Sequence, residues 1–222
     1  MSAYVLVPGA GGDRWYWSYV ARMLTDAGHE VTAVDLPGPD ETAALPEYVD
    51  LVCAATPDRD DVVLVAQSLG GFTAPLVARR EPVRSIVLVN AMIPTPGEKV
   101  GDWWEATRWA EARTEAAVRG GYPVEFDLAT YFLHDVDPEV AAAGEPYQRP
   151  EGDAVFASVC DFPSWPDVPL RVVSGAEDRF FPVEFQRQLA RERLGVDPEV
   201  LPGGHLIALS QPRALADHLL GV

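Results

Sequence analysis

The chain has 222 residues, 48% of them apolar, with 34 acidic and 17 basic side chains and a formal net charge of -17 at pH 7. That length supports one domain with a full two-layer core around a sheet and room for a small insertion, and it needs no second domain. The acidic excess repels nucleic-acid phosphates and anionic lipid headgroups, so it excludes both as partners and reads as a solvated, solubilising surface.

Met1-Ser2-Ala3 leads straight into an apolar run, with no basic start, no apolar stretch of signal-peptide length and no membrane-spanning run along the chain. A cytoplasmic protein is the expectation. Short runs rich in Val, Leu and Ile at 4–7, 31–34, 62–65, 85–89, 170–173 and 199–201 predict strands, and their continuous apolar character indicates burial on both faces. Between them, helical periodicity predicts helices at 15–27, stopped by Gly28, at 45–55, and at 69–80, where Pro75 marks a kink. Two amphipathic helices follow at 183–194 and 212–220, the second with proline in its tolerant first turn. Repeated strand–helix order predicts an α/β fold with a mostly parallel sheet of about six strands.

The alternation stops between Met92 and Pro169, where Trp103, Trp104, Trp109, Tyr131, Phe132 and Trp165 mix with charge and are interrupted by Pro94, Gly120-Gly121 and Pro150. A largely helical insertion over 92–169 is expected, leaving a core of 1–91 and 170–222. An insertion leaving the carboxyl end of a strand lies over the edge where α/β proteins bind ligands. Its aromatics serve equally well as a small core of its own. Cys53 and Cys160 have neither metal-ligand spacing nor a disulfide framework, so they are expected to be buried small apolar residues in a reducing compartment.

The chemistry concentrates at Val62-Val63-Leu64-Val65-Ala66-Gln67-Ser68-Leu69-Gly70-Gly71. An apolar strand run breaks at a serine between small residues and turns helical, which is how a serine nucleophile is presented. Ala66 and Gly70, two before and two after, are small enough for the tight turn. The first free N–H groups of the following helix, led by Leu69, then face any oxygen anion formed beside Ser68. Such a serine needs a base and a group that orients the base. Of the four histidines, His29 lies in a helix-to-strand turn, His134 in the insertion and His218 on the last helix; only His205 follows a predicted strand in a glycine-marked loop. Asp178, just past the strand at 170–173, is the candidate orienting group, with Glu177 as its rival. The order Ser68, Asp178, His205 is the one a triad follows on this type of sheet.

The loop Pro8-Gly9-Ala10-Gly11-Gly12 after the first strand supplies a second anion-binding element through an N–H of Ala10 or Gly11. Glycines there also fit a dinucleotide cradle, but after Gly9 and Gly11 the third glycine of that fingerprint falls on Arg14, so it fails.

With these residues placed, the chain resembles the α/β-hydrolase superfamily and, within it, the plant methylesterase and hydroxynitrile lyase family with its bacterial relatives. Tyr4 to Ala10 with Trp15 and Trp17, Ala27-Gly28-His29 and Asp35-Leu36-Pro37-Gly38 are similar to that family's opening. Gln67-Ser68-Leu69-Gly70-Gly71, Phe185-Gln186-Arg187 and Gly203-Gly204-His205 resemble its later blocks. The resemblance implies a Ser68, Asp178, His205 triad, oxyanion N–H groups from Ala10 and Leu69, and a cap formed by the insertion. Two departures carry meaning. Pro8 stands where the family usually has His, which alters side-chain support of the first loop, and Leu206 stands where cyanohydrin-cleaving members carry a lysine after the histidine.

These features set the expectation of a serine hydrolase of small, fairly apolar carboxylic esters, with a small-molecule ester as partner and no metal or organic cofactor. A lyase or carbon–carbon bond hydrolase with the same triad competes with it, as does a small-molecule receptor that keeps the fold without turnover.

Overall fold

A computed structural model describes residues 1–221; Val222, the last residue of the expected 170–222 segment, lies outside the described residues. The strands are β1 (Ala3–Val7), β2 (Glu30–Ala33), β3 (Val62–Gln67), β4 (Ser85–Val89), β5 (Glu98–Lys99), β6 (Val159–Cys160), β7 (Leu170–Gly175) and β8 (Glu199–Leu201). Six of them form one parallel sheet in the order β2-β1-β3-β4-β7-β8. The helices are α1 (Ser18–Asp26), α2 (Leu45–Ala55), α3 (Ala74–Val77), α4 (Trp103–Ala106), α5 (Trp109–Gly120), α6 (Leu128–Tyr131), α7 (Pro138–Gly144), α8 (Asp153–Ala157), α9 (Val183–Leu194), α10 (Ile207–Ser210) and α11 (Pro212–Leu220).

Every residue of β1, β3 and β4 is buried, because helices cover both faces of these central strands. Side chains alternate faces along a strand. Val5, Val7, Leu64, Ala66, Ile86 and Leu88 pack with Tyr48, Val52, Val77 and Leu189 of α2, α3 and α9, while Tyr4, Leu6, Val63, Val65 and Val87 pack with Val20, Leu24, Leu215 and Leu219 of α1 and α11. From β1 the chain passes outward to β2 and returns to β3 on the other side of β1. Strand order therefore reverses between β1 and β3, and the loops leaving their carboxyl ends diverge into a crevice, the usual ligand position in such sheets.

Two predicted helices differ from the observed ones. Residues 15–27 begin as a 3-10 turn, Arg14–Trp17, whose Trp15 N–H is capped by Asp13, before α1 starts. The stretch 69–80 contains only the 3-10 turn Ser68–Phe72 and the single-turn α3. Ser68 enters that turn with left-handed backbone, two glycines follow, and Pro75 supplies no N–H to extend a helix upstream of α3. The antiparallel pair β5–β6 was not foreseen, since two residues per strand carry no readable period. Cys53 and Cys160 are free and buried, and burial pushes their thiols up to about 11 and about 12. Among the described residues no helix is long and apolar enough to cross a membrane.

Candidate active site

β3 ends at Gln67 with extended backbone, and Ser68 then takes φ 49°, a left-handed conformation that costs a non-glycine residue about 1–3 kcal/mol. The surroundings hold it there. The Ser68 carbonyl accepts from Met92 N–H at 2.9 Å. A Cβ added at Gly9 would lie 2.8 Å from Ser68 Cβ, and one at Gly70 would lie 2.7 Å from the Pro8 carbonyl oxygen. The smallness of Gly70 is thus required by the end of β1.

The structure brings Ser68, His205 and Asp178 into one hydrogen-bonded line. His205 Nε2 lies 3.1 Å from Ser68 Oγ, and His205 Nδ1 lies 2.9 Å from Asp178 Oδ2. His205 has 0% exposure, enclosed by the rings of Phe132, Phe180 and Phe181 at centroid distances of 4.8, 5.1 and 5.0 Å. Asp178 Oδ1 accepts from the N–H groups of Phe180 and Phe181, both at 2.8 Å, and Oδ2 accepts from Gln186 Nε2 at 3.3 Å. A carboxylate so supplied with donors fixes the Nδ1–H tautomer of the imidazole and leaves the Nε2 lone pair toward the serine hydroxyl. The rival Glu177 turns the other way and accepts from Gly203 N–H. The remaining histidines stay apart: His29 accepts from Ser2 N–H, His218 lies 3.5 Å from Glu199, and His134 sits beside Asp135 with its imidazole pKa pushed down by burial.

Gly11 N–H donates to Glu151 Oε2 at 2.6 Å and is committed, whereas Ala10 N–H has no acceptor among the described residues. Gly9, pressed on Ser68, brings this loop to the serine, and Leu69 opens the 3-10 turn where N–H groups lack partners within the helix. Alongside lies a cavity of about 290 Å³, walled by Phe132, Leu133, Leu206 and Leu209 and by Trp15 and Tyr147, whose rings stack at 5.4 Å. Its charges, Asp13 and Arg149, pair with each other at 3.3 Å. No group of three or more His, Cys, Asp or Glu able to hold a metal occurs among the described residues.

Residues 4–218 match the family model described as Alpha/beta hydrolase family. The chain belongs to the alpha/beta hydrolase family. Polyneuridine aldehyde esterase of Rauvolfia serpentina is 27% identical over 250 residues, covering 99% of this hydrolase-family chain and 94% of that protein. Methylesterase 7 of Arabidopsis thaliana is 38% identical over 104 residues, 41% of the chain and 40% of that protein. Among solved structures, polyneuridine aldehyde esterase superposes with a TM-score of 0.79 at 24% identity over 100% of the chain and 98% of its own. An extracellular alpha/beta-hydrolase from a Paenibacillus species gives 0.80 at 19% identity with the same coverage. Both likenesses speak to the fold.

Sequence reasoning missed three buried polar residues of this hydrolase-fold site. Gln67 Nε2 lies 3.3 Å from His205 Nε2. Gln186, noted only within a family block, touches Asp178, and Asn90, directly after β4, bonds the loop carrying His205. A polar residue closing an otherwise apolar strand was the available signal for Gln67 and Asn90.

Proposed function

We propose that the chain is a serine esterase acting on small, fairly apolar carboxylic esters. The observation that carries the reading is the buried line from Asp178 through His205 to Ser68, with contacts of 2.9 and 3.1 Å. Ser68 Oγ attacks the ester carbonyl while His205 Nε2 takes its proton, and Asp178 orients the imidazole and stabilises the imidazolium. The N–H groups of Ala10 and Leu69 stabilise the tetrahedral oxyanion. His205 then gives its proton to the departing alcohol, and water activated by the same imidazole cleaves the acyl-enzyme. Residues 92–169 act as a cap: Phe132, Leu133 and Tyr147 from this segment line the cavity and set its apolar character.

Leu206 supports ester cleavage over cyanohydrin cleavage, since an apolar neighbour of His205 gives a departing cyanide no cation. The relatives named as esterases favour the same reading. Two buried free thiols fit a reducing, cytoplasmic setting, and the net charge of -17 disfavours nucleic acid as a partner. The test is Ser68→Ala on p-nitrophenyl acetate and butyrate. Activity should fall about a thousandfold or more with the fold intact. A folded variant that keeps most of its activity contradicts the serine mechanism.

A further inference from the structure

Asn90 is fully buried, yet it is neither apolar nor part of the Ser68–His205–Asp178 line. It follows β4 with φ 43°, a left-handed conformation that asparagine tolerates better than most residues. Its side chain spans two segments. Oδ1 accepts from Gly175 N–H at 2.7 Å, at the end of β7 on the way to Asp178, and from Gln186 Nε2 at 3.3 Å. Nδ2 donates to the carbonyls of Gly204 at 2.9 Å and His205 at 3.1 Å. The orientation of the amide follows from its partners, because Gly175 N–H can only donate and the two carbonyls can only accept.

We propose that Asn90 is a positioning residue that sets the spacing between the Asp178 strand end and the His205 loop, and so the Asp178–His205–Ser68 alignment. This rests on the esterase reading of those three residues. The His205 loop contains Gly203 and Gly204 and has few side chains with which to pack, so hydrogen bonds fix it. Asp135 holds the Gly204 N–H and Glu177 the Gly203 N–H, but the carbonyls of Gly204 and His205 are held by Asn90, with Gln67 Nε2 at 3.4 Å as a second donor to His205. Gln186 adds a coupling, since its one amide nitrogen, which donates to the Phe181 carbonyl at 2.8 Å, also lies 3.3 Å from both Asn90 Oδ1 and Asp178 Oδ2 and shares its second hydrogen between them. A group that touches both halves of the acid–base pair through backbone atoms moves both when it is lost.

Aspartate is the discriminating substitution. It nearly matches asparagine in shape, but an acceptor-only carboxylate would face two carbonyl oxygens. Asn90→Asp should lower kcat on p-nitrophenyl butyrate about a hundredfold, the scale of an ångström-sized misalignment, with KM within about threefold of wild type. Asn90→Gly retains the left-handed backbone without strain and removes the amide; it should fold and lower kcat in the same direction. In an Asp178→Asn background the added loss from Asn90→Gly should shrink to less than about threefold, as for two residues acting through one pair. Proton NMR offers a readout independent of turnover: the far-downfield His205 Nδ1–H signal should be present in wild type and lost or shifted in both Asn90 variants. Unchanged kcat and signal, an equal loss in the Asp178→Asn background, or failure of Asn90→Gly to fold overturns the proposal. Wild-type protein inert toward esters refutes the esterase reading separately, and the NMR comparison then still decides whether Asn90 positions His205.

Discussion

At the scale of single residues, the site depends on which atom each side chain presents. Asp178 accepts four hydrogen bonds, from Phe180, Phe181, Gln186 and His205. Asp178→Asn keeps the shape but no longer holds the Nδ1–H tautomer, so kcat should fall about a thousandfold or more while the protein folds. Steady-state kinetics on p-nitrophenyl butyrate measure this, and a loss below tenfold contradicts the orienting role. Leu206 makes a second residue-scale prediction: wild-type protein should release no cyanide from mandelonitrile above the buffer rate. Efficient release that disappears in Ser68→Ala contradicts the ester assignment. Ser68, His205 and Asp178 were legible because each sits just beyond a predicted strand in a pattern with chemical meaning. Asn90 was visible only as a polar residue closing an apolar strand; its partners were not, because they lie 85 to 115 residues away.

At the scale of elements, the segment between α7 and α8 braces the loop after β1. Glu151 accepts from Gly11 N–H and from the Tyr48 hydroxyl, and the Arg149 carbonyl lies 2.6 Å from where a Gly11 Cβ would sit. Pro8 offers no polar side chain to this loop, and Glu151 holds it through the Gly11 N–H. Glu151→Ala should therefore lower kcat by about tenfold with little change in KM, as expected when one oxyanion donor loses alignment; an equal rise in KM with unchanged kcat contradicts the brace. Burial raises the Glu151 carboxyl pKa above the ordinary glutamate value. The folded state then binds that proton more tightly than the unfolded state, so the contribution to stability is full below the ordinary value and lost as pH rises through the raised one. Glu151→Gln removes this titration. Its thermal midpoint should match wild type at a pH below the ordinary glutamate value and exceed it once the pH rises above that value, and a constant difference contradicts the assignment. Elements with a sustained period, α2, α9 and α11, were legible to the residue. The helix expected after Ser68 was not, because the left-handed serine and close glycine contacts override periodicity.

At the scale of the whole molecule, the parallel sheet gathers the proposed site residues at one edge. Loops leaving β1, β3, β4, β7 and β8 supply Ala10, Ser68, Asn90, Asp178 and His205, so residues distant in sequence meet where strand order reverses. The fold was legible because both-face burial leaves continuous apolar runs, whereas the segment between β4 and β7 was legible only as helical and aromatic. The arrangement of its short helices depends on contacts such as Trp103 with Phe181 and Trp104 with Trp109, which no period encodes. With the cavity's own charges paired and a net charge of -17 around it, neutral esters should outperform multiply charged ones in kcat/KM by at least tenfold, with a graded preference among neutral acyl chains. Equal turnover of both classes contradicts closure of the apolar wall over the acyl group. The most direct test of the central claim is intact-protein mass spectrometry after treatment with a fluorophosphonate, followed by peptide mapping. One phosphonyl group per chain should appear on Ser68, forming quickly in wild type and not in His205→Ala. A folded, ester-hydrolysing protein that carries no adduct, or carries it on another residue, contradicts the account.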